Sequence, residues 1–131
     1  MAVNAAKLIQ AAARVRVRAV APYSRFKVGA ALWSGDAIVT GVNVESASFG
    51  LTCCAERVAL FNALTGGKTN LVGLAIVARA PGGLMPCGAC RQLLAEYAPR
   101  AKVWVADSRA LQAIREFSVG ELLPGAFRDW R

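Results

Sequence analysis

The sequence predicts an α/β fold, a three-layer α/β/α sandwich around a mixed central sheet of about five strands, with residues 1–131 forming one domain. Three observations lead there. A β-hairpin pattern occupies residues 27–43, an α-β-α-β alternation follows it, and Leu71 to Arg79 is an almost wholly apolar run. Alternating helices and strands place helices on both faces of a sheet, and an unbroken apolar strand is one buried on both faces. At 131 residues the chain is long enough to bury a sizeable core.

Each element has its own warrant. Ala2 to Val20 is rich in Ala, Leu, Lys, Arg and Gln, all good helix formers. Leu8, Ile9, Ala12 and Ala13 share one face of that helix, which should run to about residue 20 and stop before Pro22. Lys27 to Ser34 reads as a strand, Gly35-Asp36 as a tight turn and Ala37 to Asn43 as the hairpin partner. A loop from Val44 to Thr52 leads to a helix over Cys54 to Leu64, closed by Gly66-Gly67. The apolar strand 71–79 comes next, then a Pro/Gly loop from Ala80 to Met85. A second helix spans Cys87 to Tyr97 and ends before Pro99, Lys102 to Ala106 is another buried strand, and a short strand or helix and a tail complete the chain.

The chain is 56% hydrophobic, yet no apolar run approaches the ~20 residues of a membrane helix. Surface buried between subunits accounts for such an excess, so an oligomer is expected. The net charge of +8 reads as solubility charge. Its densest group, Arg14, Arg16 and Arg18, has no aromatics interleaved, unlike a stretch that binds nucleic acid strands. Basic residues from Lys7 to Lys27 all precede the first acid, Asp36, as in an organelle transit peptide. The segment runs straight into patterned sequence, however, and its apolar stretches are broken by Asn4, Lys7 and Gln10, so a cytoplasmic protein is expected.

The chemistry lies in two short segments, Cys54-Ala55-Glu56 and Pro86-Cys87-Gly88-Ala89-Cys90. The chain has no histidine, so a transition-metal site must be built largely from sulfur, and the foremost general acid or base is a carboxylate. Cys54 opens one expected helix, and Cys87 and Cys90 open another. The positive end of a helix dipole favours the thiolate. Three thiolates leave a fourth tetrahedral position open for water, the arrangement of a catalytic zinc site. Zinc with three thiolates carries a net charge of about −1, which blunts its Lewis acidity. A guanidinium donating to sulfur would offset this, and Arg57 and Arg91 each lie just after a ligand, three residues past Cys54 and one past Cys90. Cys53 could close the site as a fourth ligand, but adjacent helical residues point roughly 100° apart, which favours a buried small hydrophobe.

These segments resemble the small, homotetrameric cytidine deaminases, in which a zinc ion has three protein ligands, a nearby glutamate is not a ligand, and Pro-Cys-x-x-Cys recurs. The resemblance extends over nearly the whole chain, through Pro22 to Ala31, Asn43-Val44-Glu45, Gly50 to Arg57, Met85 to Gln92 and Leu122 to Phe127. It implies one zinc per subunit on Cys54, Cys87 and Cys90, with Glu56 catalytic and Arg57 donating to the ligand sulfurs. It implies Asn43 and Glu45 on the ribose hydroxyls, Phe26 against the pyrimidine ring and the Ala55 N–H on the pyrimidine carbonyl. Phe127 would reach into a neighbouring subunit's site. The activity implied is hydrolytic deamination of cytidine and deoxycytidine in pyrimidine salvage. Ser46 stands where the family usually has asparagine, and Phe49 where it often has tyrosine, which leaves the sugar preference open. An aminonucleoside deaminase of the blasticidin S type shares the zinc motif, but Glu45 and the Leu122–Phe127 segment favour cytidine. Outside the enzymes, a closed zinc module that binds nucleic acid is the alternative.

Overall fold

Asn4 starts the first helix, its Oδ1 accepting from the Lys7 backbone N–H at 3.1 Å, one of the donors that a helix leaves free at its start. The structure, a computed structural model, describes residues 4–128. Helix α1 spans Ala5–Arg16 and buries Leu8, Ile9 and Ala12. It ends four residues short of the expected boundary, and residues 2–3 of that expectation lie outside the described residues. Beyond Arg16 the backbone turns, and Val20 enters a parallel bridge to Val44. The alternating Arg-Val segment is therefore split between the last turn of the helix and a connector.

The sheet has the order β2-β1-β3-β4-β5, formed by β1 (Val28–Trp33), β2 (Ile38–Val42), β3 (Gly73–Ala78), β4 (Lys102–Asp107) and β5 (Arg115–Ser118). β1 is antiparallel to both β2 and β3, β3 and β4 are parallel, and β5 returns antiparallel to β4. The mixed five-stranded sheet and its helices are thus those expected. Helix α2 spans Ala55–Thr65, α3 spans Gly88–Tyr97 and α4 spans Val119–Leu122. A Ser118–Glu121 capping box starts α4, with Ser118 N–H donating to Glu121 Oε1 at 2.7 Å.

Alternation along the central strands sorts the core into two clusters. Ala31, Ala75, Val77, Trp104 and Ala106 face Leu8, Ile9 and Ala12 of α1. Leu32, Leu74, Ile76, Val103 and Val105 belong to the cluster shared with α2, α3 and α4. Two glycines set the layer spacing. A Cβ on Gly29 would collide with the Ala12 carbonyl oxygen, and one on Gly41 would lie 2.7 Å from that of Ala55 and collide with the Ala59 nitrogen. Gly41 lets α2 lie directly on β2, which fixes where the N-terminus of α2 emerges.

Candidate active site

Cys54 is the N-cap of α2 and Cys87 the N-cap of α3, and neither side chain makes a capping bond to its own helix. Two positive helix ends therefore converge with their thiols free. Cys54 Sγ lies 3.8 Å from Cys87 Sγ, which lies 3.4 Å from Cys90 Sγ. All three sulfurs fall within 4.8 Å of one another. Zinc–sulfur bonds of ~2.3 Å at tetrahedral angles require sulfurs about 3.8 Å apart, so the donor set and spacing fit one zinc ion per subunit.

Cys54 faces both Cys87 and Arg57 in the cluster. Its thiol is drawn down to about 5 by hydrogen bonding from Cys90, against the opposing effect of burial, with Arg57 and Cys87 adding to the pull. Cys90 is pushed upward by its bond to Cys54 and by burial. Arg57 Nη2 lies 3.5 Å from Cys54 Sγ and donates to the Thr52 carbonyl at 3.3 Å. Its Nε is buried without a partner among the described residues. Arg91 behaves differently from the sulfur donor considered for it. Its Nε and Nη1 bond the Pro86 and Leu122 carbonyl oxygens.

Glu56 follows in the first turn of α2, only 4% exposed, and burial raises its carboxyl to about 7. A cavity of about 220 Å³ beside it is lined by Phe26, Asn43, Cys54, Ala55, Glu56 and Cys87, together with Val28, Thr52, Leu84 and Met85. Ala55 is the first residue of α2, and its N–H is among those that a helix cannot satisfy itself. A second cavity of about 350 Å³ is lined by Tyr23, Ser24, Glu45, Ser46, Phe49 and Thr52, and so adjoins the first at Thr52.

Asn43 and Glu45 also organise the segment that carries Phe26. Asn43 Oδ1 accepts from Val28 N–H at 2.9 Å, and Nδ2 donates to the Phe26 carbonyl at 2.8 Å, leaving one amide hydrogen for a ligand. Glu45 accepts the Tyr23 and Ser24 backbone N–H groups, each at 3.0 Å, and the Ser24 hydroxyl. Those bonds hold its carboxyl below the ordinary glutamate range. Ser24 Oγ in turn accepts Phe26 N–H at 3.0 Å, and Arg25 between them adopts a left-handed φ of 60°. Tyr23 and Ser24 were not singled out from the sequence; they lie in the Pro22–Ala31 stretch, but their role depends on a loop pairing that no local periodicity encodes.

Two expected residues stand apart. Phe127 is 65% exposed and does not line this cavity. Cys53 is half-buried rather than buried, and its backbone pairs with Val44. Its sulfur is outside the three-thiol group, and burial raises its thiol.

Sheet, helices and thiol cluster together define a zinc-binding α/β domain. Residues 3–106 match the family described as the cytidine and deoxycytidylate deaminase zinc-binding region, and the chain belongs to that family. A cytidine deaminase of Halalkalibacterium halodurans is 48% identical over 122 residues, covering 92% of this chain and 91% of the relative. One from Sporosarcina psychrophila is 42% identical over 123 residues, covering 92% and 89%. The crystal structure of cytidine deaminase from Burkholderia pseudomallei superposes with a TM-score of 0.90 at 43% identity, over 95% of this chain and 100% of that one.

Proposed function

We propose that the protein hydrolytically deaminates cytidine and deoxycytidine to uridine and deoxyuridine with release of ammonia, as a cytoplasmic enzyme of pyrimidine salvage. The observation that carries this reading is a buried carboxylate, Glu56, lining one cavity with two thiols of a three-sulfur cluster and with Phe26. Ligand cavities commonly run from about 300 Å³ upward. The cavity beside Glu56 is smaller, about 220 Å³, and shares Thr52 as a lining residue with the 350 Å³ space at Glu45. A base in the first and a sugar in the second suits a nucleoside better than a free base.

Zinc held by Cys54, Cys87 and Cys90 would supply the Lewis acidity that makes water a nucleophile at neutral pH. Glu56 takes a proton of the attacking water and delivers it to ring N3 as C4 is attacked; it then carries the proton of the new C4 hydroxyl to the amine, so that the C4–N bond breaks, ammonia leaves and the C4 carbonyl remains. One carboxylate serves as base and then acid, and a carboxyl raised to about 7 is suited to both duties. The Ala55 N–H accommodates the pyrimidine carbonyl, Phe26 lies against the ring, and the remaining Asn43 amide hydrogen and the Glu45 carboxylate bind the sugar hydroxyls. Arg57 donates to the ligand sulfurs and offsets their charge.

Phe127 is available to complete a neighbouring subunit's pocket, which would make the active unit a homotetramer with shared sites. Phe49 and Leu51, 77% and 75% exposed on the loop beside the sugar cavity, support a surface covered by another subunit. Following the ultraviolet spectrum of cytidine tests the activity, with Glu56→Gln as control and zinc measured on both. Conversion by the wild type alone is expected; no conversion by folded, zinc-loaded wild type overturns the reading.

A further inference from the structure

Arg91 and Gln92 are neighbours in the first turns of α3, and between them they hold one carbonyl group just ahead of the helix and two in the C-terminal segment. Arg91 Nε donates to the Pro86 carbonyl at 2.7 Å, and its Nη1 donates to the Leu122 carbonyl at 2.9 Å. Gln92 Nε2 donates to the Phe127 carbonyl at 2.7 Å and to Glu96 Oε2 at 3.1 Å. Pro86 is fully buried, and its carbonyl belongs to the peptide unit that leads into Cys87. Fixing that oxygen fixes the plane from which the Cys87 side chain departs. Leu122 is the last residue of α4, where a helix leaves carbonyls unpaired and favours a cation. From there the chain passes Gly125, at a left-handed φ of 65°, and arrives at Phe127.

We infer that Arg91 is a positioning residue that bolts the thiol-bearing start of α3 to the C-terminal segment carrying Phe127, with Gln92 fixing the far end of that segment. One planar guanidinium sets the departure of Cys87 through Pro86 and the departure of the tail through Leu122. A lysine in its place keeps the charge but offers a single ammonium in place of two donors fixed in a planar fork. The tail-positioning half of this inference rests on the deaminase reading. The thiol-positioning half stands independently of it.

Arg91→Lys, Arg91→Ala and Gln92→Ala, each zinc-loaded, test the inference with two readouts. The first is the rate of zinc transfer to a chromogenic chelator, which requires no turnover. Arg91→Lys and Arg91→Ala should accelerate it about 10-fold or more, the scale of lost support around metal ligands, while Gln92→Ala should leave it unchanged. Should Arg91→Ala fail to fold, Arg91→Lys carries this comparison alone. The second is cytidine deamination with KM and kcat separated. Gln92→Ala should raise KM several-fold, and combining Arg91→Lys with Phe127→Ala should give less than the product of the single effects on KM, as expected of residues acting through one another. Unchanged zinc transfer in folded Arg91→Lys refutes the link to Cys87. Full multiplicativity with Phe127→Ala refutes the link to the tail. A wild type without deaminase activity removes the function reading, and the chelator rates then decide the Cys87 link alone.

Discussion

Arg57 Nη2 stands 3.5 Å from Cys54 Sγ, at the point where a three-thiolate zinc site would gather its excess negative charge. Removing that donor should weaken the site without dismantling it. Arg57→Gln is expected to lower kcat about 10- to 100-fold, the range for partners that tune a ligand without touching the metal; steady-state kinetics beside metal analysis checks this, with zinc content retained. In the proposed reaction Glu56 acts on the proton itself. Glu56→Gln should keep zinc and fold but lose at least ~10³ in rate, within the span of acid–base catalysis. Single-turnover measurement separates this from slow product release. Both residues stand out in the sequence because each lies within one helical turn of Cys54, while the preference for Arg57 over Arg91 comes from the family resemblance. The double duty of Asn43 and Glu45 was not readable there, because the partners of Glu45, Tyr23 and Ser24, lie about 20 positions earlier on a loop. Arg91 was weighed as a donor to sulfur from adjacency alone, and only the fold reveals that its reach is toward carbonyls.

Helix α2 owes its position to a missing side chain. Gly41 on β2 admits the backbone of α2 to contact, and an added Cβ would lie 2.7 Å from the Ala55 carbonyl oxygen. Gly41→Ala must push that helix away. Its expected cost is about 1–3 kcal/mol, the usual range for overpacking, and because α2 carries Cys54 and Glu56 zinc affinity should fall as well. Chemical denaturation and metal competition report the two effects separately. The elements themselves could be read from hydrophobic period and punctuation: the apolar stretch 71–79 contains β3, Gly73–Ala78, and the two cysteine-led helices begin one residue after the cysteines. Boundaries failed where tertiary pairing overrides propensity. Residues 17–20 have helix-compatible neighbours, yet the Val20–Val44 bridge draws them out of α1. Which strand neighbours which was a further step that composition could not order, since the β1–β3 pairing joins segments some forty residues apart.

At the scale of the whole molecule, a thiol cluster drawn from α2 and α3 makes metal a structural partner as well as a reagent. Chelation should lower the thermal midpoint. At zinc concentrations a hundredfold above the dissociation constant the bound ion contributes about 2.7 kcal/mol, which for a domain of this size amounts to roughly 10 °C. Scanning calorimetry with and without chelator measures it. If Phe127 completes a neighbour's pocket, specific activity should fall as the protein is diluted below its subunit dissociation constant, and Phe127→Ala should raise KM while leaving zinc bound. Activity assays across a concentration series, alongside light scattering, follow both effects. The wide separation of the cluster's members along the chain bears on how the protein is made. A nascent polypeptide emerging from its N-terminus presents Cys54 alone, then waits for the Cys87–Cys90 pair, 33 residues and more behind. β4, the strand that closes the parallel pairing beside α3, emerges later still. The site therefore matures only after most of the chain has left the ribosome, and a chain made where zinc is short would fold without the metal tie between the starts of α2 and α3.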